Sequence, residues 1–299
     1  MTIPIIDFSI FNEEQPSSVA RLAEQIERAC VEVGFFALSN SGIEARAIRD
    51  IFTYSQSFFD LPLENKNGSA YTDAKANFGY QGLGMEKLTP YGMPDLKESL
   101  TMRNLLNNLD SLPLSDELNA ICADFYRAAM QKAYDIMKIF AFILDVESDF
   151  FIARHKGTST TLRMLHYPCV ANSKPDQYGA GEHTDYGMMT LLFQNDVGGL
   201  EVKDSLGRWQ TVPAYPDNIV INCGDLLQRW TNNRFLSTQH RVTPNFSLRS
   251  RYSIALFVDP DADVVVDCLP SCVSREHPAV YPQTNAGEFI QKKIMATHL

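Results

Sequence analysis

Thr161-Leu162-Arg163-Met164-Leu165-His166-Tyr167 and Arg251-Tyr252-Ser253-Ile254-Ala255-Leu256-Phe257-Val258 are short runs dominated by β-branched, aromatic and aliphatic residues. Met189–Phe193, Leu200–Val202 and Ile219–Asn222 share that texture, and turn signals such as Val197-Gly198-Gly199 and Asp204-Ser205-Leu206-Gly207 separate them. Strands this short and this evenly spaced predict a sandwich or barrel. Upstream the period changes to that of helices. Apolar residues recur at helical spacing through Val19, Leu22, Ala23, Ile26, Ala29, Cys30 and Val33 until Gly34 stops the pattern. Gly34 to Leu38 reads as a short buried strand, Ala45 to Phe59 as a second helix, and Asp116 to Leu144 as one long helix or two short ones. Between them Asn67 to Pro94, rich in Gly, Pro, Asn and Tyr, reads as a long structured loop.

Composition sets the bounds. The 299 residues are 45% hydrophobic and 21% charged, values of an ordinary globular protein with a sizeable core. A net charge of -10 without a dense Lys/Arg run argues against nucleic acid as a partner. No apolar stretch approaches the roughly 20 residues that span a bilayer, and Met1-Thr2-Ile3-Pro4-Ile5-Ile6-Asp7 lacks a basic leader, so a cytoplasmic location is expected. The six cysteines form no C-x-x-C pair, and Cys268 and Cys272 have no nearby ligand partners, so neither a disulfide framework nor a thiolate zinc site is expected.

Within the strand-rich half, Gly181-Glu182-His183-Thr184-Asp185-Tyr186 contains an H-x-D, and strand alternation is expected to put His183 and Asp185 on one face. Alone this is a weak signal. It gains weight from a second histidine in Ser237-Thr238-Gln239-His240-Arg241-Val242, followed by Arg251-Tyr252-Ser253. Two imidazoles and one carboxylate form the facial triad of non-haem iron(II), which leaves adjacent positions open. Iron(II) with one carboxylate keeps a single positive charge, too little to neutralise a dianion such as 2-oxoglutarate. Arg251 can supply the second cation, with the Ser253 hydroxyl beside it on the same strand face.

These residues resemble the iron(II)/2-oxoglutarate oxygenases of the isopenicillin N synthase-like group. The resemblance runs through Ile3–Phe8, Gly34-Phe35-Phe36, Asn40-Ser41-Gly42-Ile43 and Phe58–Pro62 to Leu162–Pro168, His183–Gly187, Asn222–Leu227, Ser237–Val242 and Arg251-Tyr252-Ser253. It implies a mainly β fold with α, a double-stranded β-helix (jelly roll) with an α-rich N-terminal region against it. The expected organisation is an N-terminal region over 1–110, a connecting long helix over 111–156, the catalytic jelly roll over 157–262 and a C-terminal extension over 263–299. It further implies iron on His183, Asp185 and His240, and 2-oxoglutarate on Arg251 and Ser253 with help from Tyr167. The resemblance implies as well that O2 is consumed, that succinate and CO2 are released, and that a small soluble metabolite is hydroxylated or closed into a ring; a monomer or weak homodimer is expected.

Within the group the chain looks most like thymine hydroxylases, sharing Asn77-x-Gly79-Tyr80 and Leu96-Lys97-Glu98-Ser99, within a wider subgroup that includes kainoid-type oxidative cyclases. Asn77, Arg163, Tyr186 and Phe257 correspond to substrate-pocket positions. Three departures stand out: Ser41 where the group usually has His, Leu165 where plant relatives carry Asn, and Arg103 where the thymine hydroxylase has Gly. Arg103 would suit a carboxylate-bearing, amino-acid-like substrate. His166 and Asp225 read as structural, and His155, His277 and His298 as surface or core histidines. Three alternatives stay open: an oxidase in which Arg251 and Ser253 bind the substrate instead of 2-oxoglutarate, a non-catalytic jelly-roll binding protein, and a hydrolytic zinc enzyme, which leaves Arg251 and Ser253 unexplained.

Overall fold

In the computed structural model, residues 3–89, 92–109 and 116–296 are described. The chain opens with β1 (Ile5–Asp7), α1 (Pro16–Glu32), β2 (Phe35–Ser39), α2 (Ala45–Phe59) and α3 (Leu63–Asn67). Then come β3 (Phe78–Gln81), β4 (Glu98–Arg103) and the long α4 (Asp116–Ile143). The remaining strands are β5 (Thr161–Tyr167), β6 (Ala180–His183), β7 (Met189–Gln194), β8 (Leu200–Lys203), β9 (Trp209–Thr211) and β10 (Ile219–Cys223). After α5 (Asp225–Trp230) the chain ends with β11 (His240–Val242), β12 (Arg251–Val258), β13 (Val265–Val266), β14 (Thr284–Asn285) and α6 (Ala286–Met295).

Two sheets form the body, one of eight strands in the order β1-β2-β10-β7-β12-β5-β4-β3 and one of four, β6-β11-β8-β9. This is the mainly β architecture with a jelly-roll core that the family resemblance implies, within the sandwich-or-barrel class that strand spacing predicts. The large sheet has two unlike faces because its side chains alternate. Leu100, Met102, Leu162, Met164, Leu191, Phe193, Ile254 and Leu256 face one way and share a core with Ile26, Phe58, Phe125, Ala133 and Phe140 of the helices. Their neighbours in sequence face the other way and line a cavity. Register arranges these inward residues in rungs: Tyr167 beside Arg251, then Ser99, Leu165, Ser253 and Gln194, then Thr101, Arg163, Ala255 and Leu192, then Arg103, Thr161, Phe257 and Thr190. Arg251 to Phe257 spans six residue steps, roughly 20 Å of strand.

The segment Asn67 to Pro94, expected as loop, contains β3, which pairs with β4 at the sheet edge. Its periodicity is obscured by Gly79, whose φ of +122° and approach to Tyr71 leave no room for a side chain; a Cβ there would stand 2.7 Å from the Tyr71 backbone. α6 also escaped the sequence reading, and its Ile290 and Ile294 close one side of the cavity.

The α1–β2 turn ties the helical layer to the small sheet. Pro16 sits in the first turn of α1, where the missing N–H costs nothing. At the other end Gly34 takes φ +74°, and a Cβ there would fall 2.2 Å from the Leu236 carbonyl oxygen. Leu236 N–H donates to the Cys30 carbonyl at 3.0 Å, and the Thr238 hydroxyl donates to the Val33 carbonyl at 2.6 Å. The strand bearing His240 is therefore anchored on this turn. Gly34→Ala combines left-handed strain with overpacking and is expected to cost about 2–4 kcal/mol. Denaturant unfolding should show a lowered midpoint; an unchanged one would mean that the Leu236 segment shifts freely.

Candidate functional site

His183, Asp185 and His240 meet at the cavity floor, with one ligand atom from each inside a 4.8 Å cluster. It is the one such group of three among the described residues. The histidines sit opposite each other on paired β6 and β11, their ring centroids 4.2 Å apart. Each Nδ1 lies against a backbone carbonyl two residues back, Gly181 at 2.7 Å and Thr238 at 3.1 Å. That fixes the rings, with each Nε2 directed at Asp185 Oδ1, at 3.8 Å from His183 and 3.7 Å from His240.

Asp185 reaches this point by a route other than strand alternation, because β6 ends at His183. The correction is physical: the turn after β6 carries Asp185 inward and two neighbours pin it. Thr190 Oγ1 on β7 and Asn222 Nδ2 on β10 both donate to Asp185 Oδ2, at 2.5 and 2.7 Å. One oxygen is thus committed and the other faces the imidazoles. Burial alone would raise the carboxyl, but His240, His183 and these hydrogen bonds hold it below its ordinary range. Burial, then the neighbouring His240, pushes His183 down to about 3, so it is a neutral imidazole at pH 7, the form that binds metal. The donor set fits an open N2O metal site. The sequence reading passed over Thr190 and Asn222, although a polar residue ending the apolar run Ile219-Val220-Ile221 carried a signal.

Arg251 lies at the far end of the cavity, 2% exposed. It donates through Nε to the Gly198 carbonyl at 2.6 Å, through Nη1 to Ser253 Oγ at 3.2 Å and through Nη2 to Gln194 Oε1 at 3.3 Å, over the Tyr167 ring 4.5 Å away. Burial lowers its proton affinity. None of these partners is an anion, so a buried cation stands uncompensated, an arrangement that is costly unless an anion binds.

Asn77, Arg163, Tyr186 and Phe257 line the same cavity; Arg103 does not, but its Nη2 stands 3.9 Å from Asp259 Oδ2, which does. Arg163 is clamped: Nη1 and Nη2 donate to Glu86 at 3.1 and 2.8 Å, and Nη2 also reaches Ser99 Oγ at 2.9 Å. Lys97 completes this wall, 3.0 Å from Glu86 and in a short contact with Asp95, which in turn accepts the Gly181 N–H at 3.0 Å. The histidines set aside as structural are accounted for elsewhere. His166 is held by Glu98 at 2.7 Å and Ser250 at 2.9 Å, His155 is buried beside Trp230, His277 is exposed, and His298 lies outside the described residues. Asp225 opens α5 and accepts from Ser237 and Lys293.

Removing Asn222's donor while keeping its bulk, in Asn222→Leu, is expected to weaken divalent-metal affinity about 10–100-fold. Iron(II) titration of the two proteins checks it, and equal affinities would remove Asn222 from the metal centre's support.

Comparison with known proteins agrees with this geometry. A profile described as "2OG-Fe(II) oxygenase superfamily" matches residues 158–260, and one described as "non-haem dioxygenase in morphine synthesis N-terminal" matches residues 3–120. The 2-oxoglutarate-Fe(II) type oxidoreductase hxnY of Emericella nidulans is 32% identical, the match covering 96% of this chain and 88% of the relative. Proline hydroxylase buaE of Petromyces alliaceus is 31% identical over the full length of both chains, 100% of each. Among solved structures, the full-length thymine hydroxylase of Neurospora crassa in complex with alpha-KG and thymine superposes with a TM-score of 0.88 at 31% identity, covering 98% of this chain and 96% of that one. The protein is an iron(II)- and 2-oxoglutarate-dependent oxygenase and belongs to the 2OG-Fe(II) oxygenase superfamily.

Proposed function

We propose that His183, Asp185 and His240 hold the iron(II), that Arg251, Ser253 and Tyr167 hold the distal carboxylate of 2-oxoglutarate, and that the substrate lies toward Asn77, Arg163, Tyr186, Phe257 and Arg103. The observation that carries the co-substrate assignment is the unpaired, buried Arg251 guanidinium at one end of a cavity whose floor is a metal-ligand triad. Its planar fork matches a carboxylate, and the Ser253 hydroxyl adds a donor. The chemistry the metal centre supplies when bound is oxidation of 2-oxoglutarate by O2 to succinate and CO2, with hydrogen-atom abstraction from a small metabolite that ends in hydroxylation or ring closure.

The chain's own groups bind, orient and keep water out. Tyr167 packs its face on the guanidinium. Leu165, Leu192, Leu200, Val242 and Ala255 line the cavity around the co-substrate end with apolar surface. The clamped Arg163 and Glu86 form a fixed polar wall, and Phe257 offers an aromatic edge on the next rung. Relatives bound to thymine or named for proline hydroxylation support a small amino-acid-like or heterocyclic substrate. With a net charge of -10 nucleic acid is not the partner, and action on a free metabolite, as a cytosolic monomer or weak homodimer, completes the reading.

The test is anaerobic titration of iron(II)-loaded protein with 2-oxoglutarate, following the visible metal-to-ligand charge-transfer band of a chelated 2-oxo acid. Arg251→Ala is expected to raise the co-substrate concentration needed by about 10–100-fold with little change in iron affinity. His183→Ala is expected to abolish iron-dependent succinate release. Bound iron with no band would favour the oxidase in which Arg251 binds substrate, and retained turnover in His183→Ala would remove that histidine from the metal.

A further inference from the structure

Among the described residues, every buried carboxylate in or behind the cavity wall has a hydrogen-bond donor except one. Glu86 has Arg163 and Lys97, Asp95 has Lys97 and the Gly181 N–H, and Asp185 has Thr190 and Asn222. Asp259 lines the cavity, is 6% exposed, and has no hydrogen bond among the described residues. The Arg103 guanidinium stands 3.9 Å away, beyond hydrogen-bonding reach, and its Nε is buried without a described partner. A carboxyl buried in this state either takes up a proton or costs several kcal/mol until a donor arrives.

The fold makes deliberate room for it. Asp259 follows Phe257 by two residues, so it continues the inward face of β12 one rung past Phe257. Arg103 closes the Phe257 rung from the other side, through Thr161. Gly187 supplies the space: a Cβ there would fall 1.9 Å from Asp259 Oδ1. Asp259 therefore stands at the cavity end opposite Arg251, with the Arg103 guanidinium beside it.

Charge decides what this end receives. With Asp259 as the carboxylate, the charged side chains in and directly behind the cavity wall are Arg103, Lys97, Arg163 and Arg251 against Glu86, Asp95, Asp185 and Asp259, four of each sign. Iron(II) and the 2-oxoglutarate dianion cancel. A substrate of zero net charge preserves that neutrality, and one with separated poles can also satisfy the slack acid and base at once. We propose that Asp259 and Arg103 form a zwitterion clamp, Asp259 accepting from a substrate ammonium and Arg103 donating to its carboxylate, so that the substrate is a free amino acid. This rests on the oxygenase reading of the same cavity and narrows its substrate class.

The experiment is anaerobic calorimetric titration of iron(II)- and 2-oxoglutarate-loaded protein with the proteinogenic L-amino acids and with thymine. The tightest amino acid is then compared with its methyl ester and its N-acetyl derivative. In the wild type each modification is expected to weaken binding about 10–100-fold. In Asp259→Asn the N-acetyl penalty should largely vanish while the ester penalty persists, and Arg103→Met should show the reverse. A structural role alone would not produce this reciprocal pattern. Should either variant fail to fold, the wild-type derivatives still decide, because undiminished binding of ester or N-acetyl compound overturns the clamp. Binding of thymine with no amino acid bound overturns it also. So does the absence of amino-acid binding while the charge-transfer band is present, whereas a missing band sinks the oxygenase reading itself.

Discussion

Thr190 and Asn222 give their hydrogen bonds to the same oxygen of Asp185, and the geometry of the metal centre follows from that. A carboxylate on a turn can rotate; with one oxygen committed to donors on two central strands, the other has a single direction left. The turn itself is held by backbone contact. Asp225 N–H donates to the Asp185 carbonyl at 2.8 Å, and Gly224 N–H to the Met188 carbonyl at 2.8 Å. A Cβ at Gly224 would lie 2.3 Å from the Gly187 carbonyl oxygen, so the approach of these two segments depends on glycine. The motif Asn222-Cys223-Gly224-Asp225 thus serves the iron site without supplying a ligand.

The cavity's charged residues fall into two kinds. Glu86, Lys97, Asp95 and Arg163 are mutually satisfied and form a rigid wall. Burial pushes Asp95 up, while Lys97 is held above its usual value because Glu86 and Asp95 outweigh the cost of its burial. Arg251 at one end has no anion beside it, and Asp259 at the other has Arg103 only at 3.9 Å, beyond hydrogen-bonding reach. Burial raises the Asp259 carboxyl to about 7, since Arg103 offsets it only weakly and Asp185 adds repulsion. A buried cation with no anion beside it, and a buried acid whose proton affinity is raised, mark places where a ligand can supply the missing partner.

Alternation in the large sheet separates stability from chemistry. On β5, Leu162 and Met164 join the helical core while Thr161, Arg163, Leu165 and Tyr167 face the cavity. His166 points outward with its neighbour Tyr252, the two rings stacked 4.7 Å apart, and ties the strand to Glu98. Burial disfavours charge on Glu98, but His166, Tyr80 and Lys66 hold its carboxyl down to about 2.

The sequence by itself determined the strand runs, the main helices, and which residue types could hold iron and a dicarboxylate, because alternation and ligand chemistry are local properties. Arg251 with Ser253 was legible for that reason: two residues apart on a strand share a face. What only tertiary structure decided are relations between distant segments. Asp185 reaches the metal centre from a turn pinned by Thr190 and Asn222, β3 is hidden by its glycine, and α6 closes the cavity from the far end of the chain. Arg163, legible as a pocket residue, is tied up by Glu86, which lies 77 positions away. Asp259 carried no motif at all, and only the register that brings it beside Arg103 and Gly187 reveals a buried acid without a hydrogen bond among the described residues. Hydrogen bonding and charge balance are settled in three dimensions, and a sequence fixes only the groups that must settle them.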